Sequence, residues 1–471
     1  MTTALPFTDE LQSALRADPA RAGRLSVTGD GDLPSVYRVT DLAVAVVGVA
    51  GLAVAELAGV LGAGSGSAGS GSAVAMDAAP PATTVDRALA SSWFGSAVTP
   101  IDWPQPSVWD PLTRNYRSRD GQWIRLHANV ARHQTAALGV LGLAENPDHV
   151  DARRAVARWD AEALETAIVQ AGGCAAVMRT RGEWARHPQG SAVAAEPLLG
   201  WATGQPGTVG AAFAGTRQRP LAGLRVLDLT RVIAGPVATR FLAGYGADVL
   251  RIDPPDWNED ALLANMILGK RAARIDATTP DGAARLRDLV AGADVLVHGY
   301  RDGALDALGL DAAARRELRP GLIDVSLTAY GSTGPWSGRR GFDSLVQMSD
   351  GIAARGMAWA TAETPTPLPV QALDHATGYL LAAAAVRGVI QSLTENRGSA
   401  VRTSLARVGE LLVAGGEQAD GGALIDRCEP TEPLETPWGG ARMLRPPLDI
   451  DGAPMAFDRG PRALGADDAT W

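Results

Sequence analysis

Cysteine is nearly absent. The two in 471 residues, Cys174 and Cys428, lie far apart with no CxxC or histidine-rich company, which argues against a disulfide framework or a zinc site. Clustered Lys and Arg are lacking as well: 43 basic against 52 acidic residues leave a net charge of -9. That balance argues against nucleic acid as the main partner, while local pockets for a small phosphate stay open. The longest apolar run, residues 42–55, is 14 residues held between Asp41 and Glu56, short of the roughly 20 that span a bilayer. It predicts a buried helix and no membrane partner, with Gly48 and Gly51 permitting close helix packing. The opening MTTALPFTDELQ is acidic where a secretory leader is basic, so no export signal and a cytoplasmic location are expected. A dinucleotide site would want G-x-G-x-x-G; the candidate turn at 232–235 holds only Gly235, followed at once by Pro236, so NAD is poorly supported.

What is present is a globular balance, 46% hydrophobic and 20% charged, in a chain long enough for two or three domains. Residues 62–72 are almost pure Gly, Ser and Ala and predict a surface loop; 201–220, rich in Gly, Thr, Gln and Pro, predicts an interdomain linker. From Ala222 the pattern becomes regular. GLRVLDL reads as a strand, VATRFLAGYGA as a helix and DVLRID as a strand, a βαβ unit whose alternation continues through residues 280–291, 294–298 and 322–327. The expected class is α/β: a doubly wound, Rossmann-like parallel sheet over 221–471 plus a smaller α/β domain over 105–200. Residues 1–104 form an N-terminal segment.

That segment contains an echo. DLAVAVVGVAGLAVAEL from Asp41, followed later by VDRALASSWF, resembles DHATGYLLAAAAVRGVI from Asp374, followed by VRTSLARVGE. Each has an Asp opening a small-residue helix, as an N-cap would, then a Val-x-x-x-Leu-Ala strand. At the turn after GLRVLDL, the backbone N–H groups of 232–235 would face a ligand at a helix N-terminus, a position that favours phosphate.

The wording of 223–253 closely resembles the opening of the family III CoA-transferases, the group containing formyl-CoA transferase and carnitine CoA-transferase. Further blocks agree in order: GKRAARIDATTPDGAARL, ADVLVHGYRDGALDALGL, LIDVSLTAYGSTGPWSGRRGFDSLVQ and LPVQALDHATGY. The resemblance implies that Asp374 is a nucleophile that takes coenzyme A as a covalent thioester, exchanging it between an acyl-CoA and a free carboxylic acid without metal or NAD. A carboxylate of ordinary pKa near 3.9 would need no activation for this. It implies coenzyme A contacts for the backbone of Val232, Ile233 and Ala234, a phosphate-facing role for Lys270, and a place for Tyr330 along the pantetheine path. Pro254 and Ala307 stand where formyl-CoA transferase is basic; Arg251 is the candidate to compensate. A homodimer is implied as well.

The order of parts departs from that family. Stretches resembling its small domain, from Asp110 and Ala171, precede the large domain, and Asp41 sits in a remnant of a second nucleophile helix, where a structural role is expected. Two alternatives remain: an acyl-CoA racemase or isomerase, and a silent homologue that binds CoA esters. The racemase of this fold places a histidine where this chain has Phe342; His375, beside Asp374 on a helix, points elsewhere and is expected to be a local hydrogen-bonding residue.

Overall fold

The computed structural model describes residues 5–18, 24–64, 80–145, 147–301, 303–418 and 430–471. Most of the Gly/Ser connector (65–79) and Cys428 (within 419–429) lie outside the described residues.

The short apolar runs after Ala222 form a seven-stranded sheet. Its order is Arg271–Arg274, Asp248–Asp253, Arg225–Leu229, Val295–His298, Ile323–Thr328, Arg397–Ser404 and Gly200–Pro206. The first six are mutually parallel and, numbered along the chain, run 3-2-1-4-5-6, the doubly wound pattern. Their side chains are buried on both faces, as helices covering both sides require. Local signals set the helix starts: Pro280–Gly292 begins with Thr279 accepting the Gly282 N–H and a proline in the first turn.

The expected linker is in part a strand. Gly200–Pro206 pairs antiparallel with Arg397–Ser404 at the sheet edge. An edge strand is paired on one side only, so Gly, Thr and Gln serve there without the apolar run that marks a central strand. The smaller α/β unit is an antiparallel sheet of Asn115–Arg117, Trp123–Leu126 and Ala175–Val177 under Ala131–Leu141, His149–Val156 and Ala161–Gln170. It has its own core around Ile124, Leu126, Leu164 and Ile168.

The two Asp-led helices are Val39–Gly64 and Ala372–Glu395, and they pack on each other, tied by the Arg387–Glu56 ion pair at 2.5 Å. At 26 residues the first far exceeds its 14-residue apolar run, and by length and composition alone it could cross a membrane; 83% of its most apolar window is instead buried within the protein. Gly48 and Gly51 admit strand side chains rather than a helix: an added Cβ would lie 2.6 Å from Leu25 and 2.5 Å from Leu448. The strands that follow the two helices end earlier than expected, at Asp86 and Ser404, because those side chains accept the Leu89 and Arg407 N–H and start the helices Arg87–Trp93 and Leu405–Ala414.

The returning tail does not extend the large sheet. Gly439–Leu444 pairs with Val98–Pro100, and Leu448–Ile450 with Thr83–Asp86, which in turn pairs with Leu25–Thr28. Residues 430–450 therefore bind the N-terminal segment to the large domain.

Candidate active site

In an open parallel sheet, ligands sit outside the carboxyl ends of the strands where the order reverses. Here that point lies between Arg225–Leu229 and Val295–His298, and a cleft of about 390 Å³ opens there. Residues 229–235 and 299–301 form its floor, while Val130, Arg132 and His133, around the start of the small-domain helix Ala131–Leu141, reach over it.

The turn at its base is tight. Val232 has φ 70°, a left-handed conformation that is an outlier for a β-branched residue and that favourable surroundings must hold in place. Glu259 does so by accepting the Val232 N–H at 3.0 Å, so that amide is engaged within the protein and does not face a ligand. Gly235 is needed for packing, since a Cβ there would meet Thr230 at 2.2 Å. Val232 and Ala234 line this cleft, and Val232 and Ile233 line a second cleft that shares Asp374 with it.

Three other expected contacts are not there. Lys270, the only lysine in the chain, is fully buried; its ammonium binds Asp228 and the Pro236 carbonyl, each at 3.0 Å, and burial pushes its pKa down to about 8. It braces the turn from beneath and lines neither cleft. Arg251 is equally buried, paired with Asp253 at 2.8 Å and with Glu259 at 2.5 Å, so it is neither a solvated strand end nor a replacement phosphate ligand. Tyr330 is buried with its hydroxyl 3.1 Å from Ser349, and only its neighbour Ala329 reaches the cleft.

The cations that do line the cleft are arginines: Arg132, Arg231, Arg301, Arg339 and Arg340. Arg231 is held between the rings of Trp257 and Tyr300, at 5.1 and 5.4 Å, and donates to the Tyr300 hydroxyl at 3.1 Å. Burial, with Arg301 and Arg132 close by, lowers the pKa of Arg340. Arg339 is paired with Glu165 at 3.0 Å and Arg231 lies 3.5 Å from Asp253, whereas Arg132, Arg301 and Arg340 have no carboxylate partner among the described residues; like charges gathered in this way mark an anion site. Arg301 and Arg340 lie inside the GYRDGAL and GRRGFD blocks, where they were visible but unassigned; Arg132 comes from the other domain, and no local signal in the sequence joins it to them.

Asp374, 8% exposed, lines the same cleft. It is the third residue of Ala372–Glu395, not its N-cap, and its own N–H donates to Asp343 Oδ2 at 2.9 Å. Asp343, fully buried, also receives Gln347 and the Leu373 amide. Burial pushes the Asp343 pKa up to about 6, against the pull of those donors. Burial, reinforced by the Asp343 charge, raises Asp374 well above the ordinary carboxylate range. The premise of an unactivated, ordinary carboxylate is thus corrected: burial beside Asp343 makes Asp374 harder to ionise than a free carboxyl. Phe342 stacks on His127 at 3.8 Å, which places a small-domain histidine in the same cleft system as Asp374. His375 turns away and stacks on Phe94 at 5.2 Å. Asp41 is neutralised by Arg87 at 2.7 Å and Arg38 at 3.3 Å and lines neither cleft.

Residues 221–418 match the model for CoA-transferase family III. Among curated proteins, the succinate–glutarate CoA-transferase of Agrobacterium fabrum is 31% identical over 42% of this chain and 54% of its own length. The human succinyl-CoA:glutarate CoA-transferase is 32% identical over 38% and 44%. A probable fatty acyl-CoA transferase of Mycobacterium tuberculosis, Rv3272, is 31% identical over 36% and 47%. A crystal structure of Rv3272 shares 28% identity at a TM-score of 0.37, covering 46% of this chain and 62% of that one. The chain spans about half the length of the curated relatives it matches. The likeness to CoA-transferase family III thus rests on residues 221–418, the part of the chain that its model matches.

Proposed function

We propose that the chain transfers coenzyme A from an acyl-CoA to a free carboxylic acid, with Asp374 as the covalent carrier. The observation that carries this is one cleft lined both by an arginine cluster and by the buried carboxyl of Asp374. Arg132, Arg231, Arg301 and Arg340 suit the phosphates of the coenzyme. The ionised Asp374 attacks the thioester carbonyl, the C–S bond breaks, and a mixed anhydride and CoA thiolate result. The thiolate attacks the Asp374 carbonyl, releasing the donor acid as carboxylate and leaving an aspartyl-CoA thioester. The acceptor carboxylate attacks that thioester, and the thiolate then closes on the acceptor acyl carbon, restoring Asp374. No net proton or electron is consumed. The relatives named above are CoA-transferases or acyl-CoA transferases by name, and transfer between carboxylic acids, in a homodimer, is proposed here.

Exposure of the protein to an acyl-CoA, followed by intact mass and peptide mapping, is expected to show a CoA-sized adduct on Asp374 that hydroxylamine removes. An unmodified Asp374 under turnover conditions would remove this reading. Racemisation is the second reading, favoured only by His127; burial holds its pKa down to about 3, so it is neutral at physiological pH. Deuterium uptake at the α-carbon without acid exchange would select it.

A pH dependence follows from the carboxyl pair. Asp374 must be ionised to attack, its pKa is raised, and transfer therefore increases with pH as its proton leaves. Asp343→Asn removes the negative neighbour, so the acid limb of kcat/KM is expected to move to lower pH, without reaching the free-carboxylate value because burial remains. An unmoved limb would show that Asp374 does not sense Asp343.

A further inference from the structure

Asp374 also lines the second cleft, of about 570 Å³, which shares Arg132, Val232, Trp257 and Phe342 with the first and lies between the small domain and residues 256–262. If the basic arm holds the coenzyme, as proposed above, this second arm is where the acyl group and the acceptor acid must lie. Its wall is aromatic. His127 and Phe342 stack at 3.8 Å, and Trp109 stands edge-on to His127 at 6.0 Å. Trp109 is 38% exposed and its neighbour Val108 43%, two of only six exposed large hydrophobic side chains among the described residues, and both face this cleft. Apolar surface left open beside a reactive carboxyl marks a place that a ligand covers.

The charges there have the opposite sign from those of the first arm. Asp256 and Asp260 are exposed along it, Asp110 is held by Gln134 at 2.9 Å, and Glu259 is already matched by Arg251. Arg132 is the single cation in the lining, and it belongs equally to the coenzyme arm. A second carboxylate on the substrate would meet these acids; Arg125, whose guanidinium lies over the Trp109 ring at 5.0 Å, is not part of the lining. His127, held neutral by burial, adds no positive charge.

We infer that the acids exchanged by this protein are monocarboxylic, with an aromatic or apolar body that packs against Trp109, His127 and Phe342, and that Trp109 is a specificity-determining residue. This rests on the coenzyme A reading of the first arm. Its test uses binding, so that it can fail separately: titration calorimetry of the full chain with 3-phenylpropionate and with glutarate, with and without free CoA. The expected result is at least about tenfold tighter binding of 3-phenylpropionate than of glutarate. Trp109→Ala is expected to reduce that preference about tenfold, and Trp359→Ala, a similarly exposed tryptophan outside both clefts, to leave it intact. Glutarate bound as well as or better than 3-phenylpropionate, neither acid bound, or an unchanged preference in Trp109→Ala would each overturn the assignment. An adduct on Asp374 together with preferred glutarate binding would retain the transfer reading and discard this one; selective binding without an adduct would do the reverse.

Discussion

Asp374→Asn is expected to lower CoA transfer on the order of 10⁴-fold or more, because the amide keeps the size of the side chain and loses the nucleophilic oxygen on which both covalent steps depend. The substitution is a fair one structurally. The hydrogen bond that links this residue to Asp343 comes from its backbone N–H, so the first turn of Ala372–Glu395 keeps its anchor. It also relieves the repulsion within a buried carboxyl pair, so thermal stability should hold or rise, and a loss of activity cannot be assigned to unfolding. The KM for the acyl-CoA donor should change little, since the arginines that suit its phosphates are left in place by the substitution. Initial rates of CoA exchange between a labelled acid and an acyl-CoA check this. Retention of more than about a tenth of the rate would mean that another group carries the coenzyme.

The largest stability effect is expected at Asp228, beneath the turn. Its two oxygens accept the Thr230 N–H and hydroxyl, the Thr239 hydroxyl and the Lys270 ammonium, all out of water. Asp228→Ala leaves the Lys270 ammonium buried with only the Pro236 carbonyl and is expected to cost about 3–5 kcal/mol, read as a shift in the urea midpoint. Removing both partners together, as Asp228→Ala with Lys270→Met, should recover much of that loss, since replacing a buried pair costs far less than breaking one. If the single and double variants were equally destabilised, the hydroxyl contacts rather than the ion pair would hold the turn.

The sheet was legible because its central strands are contiguous apolar runs separated by helices with recognisable starts, as at Thr279 and Pro280. Gly200–Pro206 escaped notice because an edge strand needs no such run, and the tail's pairing with Thr83–Asp86 joins segments more than 350 residues apart, which periodicity does not report. In the site, Asp374 and the 232–234 turn were legible from wording alone. Direction was not. Lys270, Arg251 and Tyr330 occupy matching positions in sequence yet point into the core, where Asp228, Asp253 and Ser349 meet them. Arg132 reaches the cleft only because the small domain folds over the sheet, and the charge of Asp343, 31 residues away in sequence, adds to the burial that raises Asp374.

One feature of the core offers a chemical handle. A protein whose sole lysine is sealed beneath the turn at the base of the cleft presents no side-chain amine to acylating reagents while folded. Carbodiimide-free ester dyes and lysine-directed crosslinkers should leave its interior unmarked, and the appearance of label at Lys270 would time the opening of that turn. A ligand that clamps the cleft should slow that labelling.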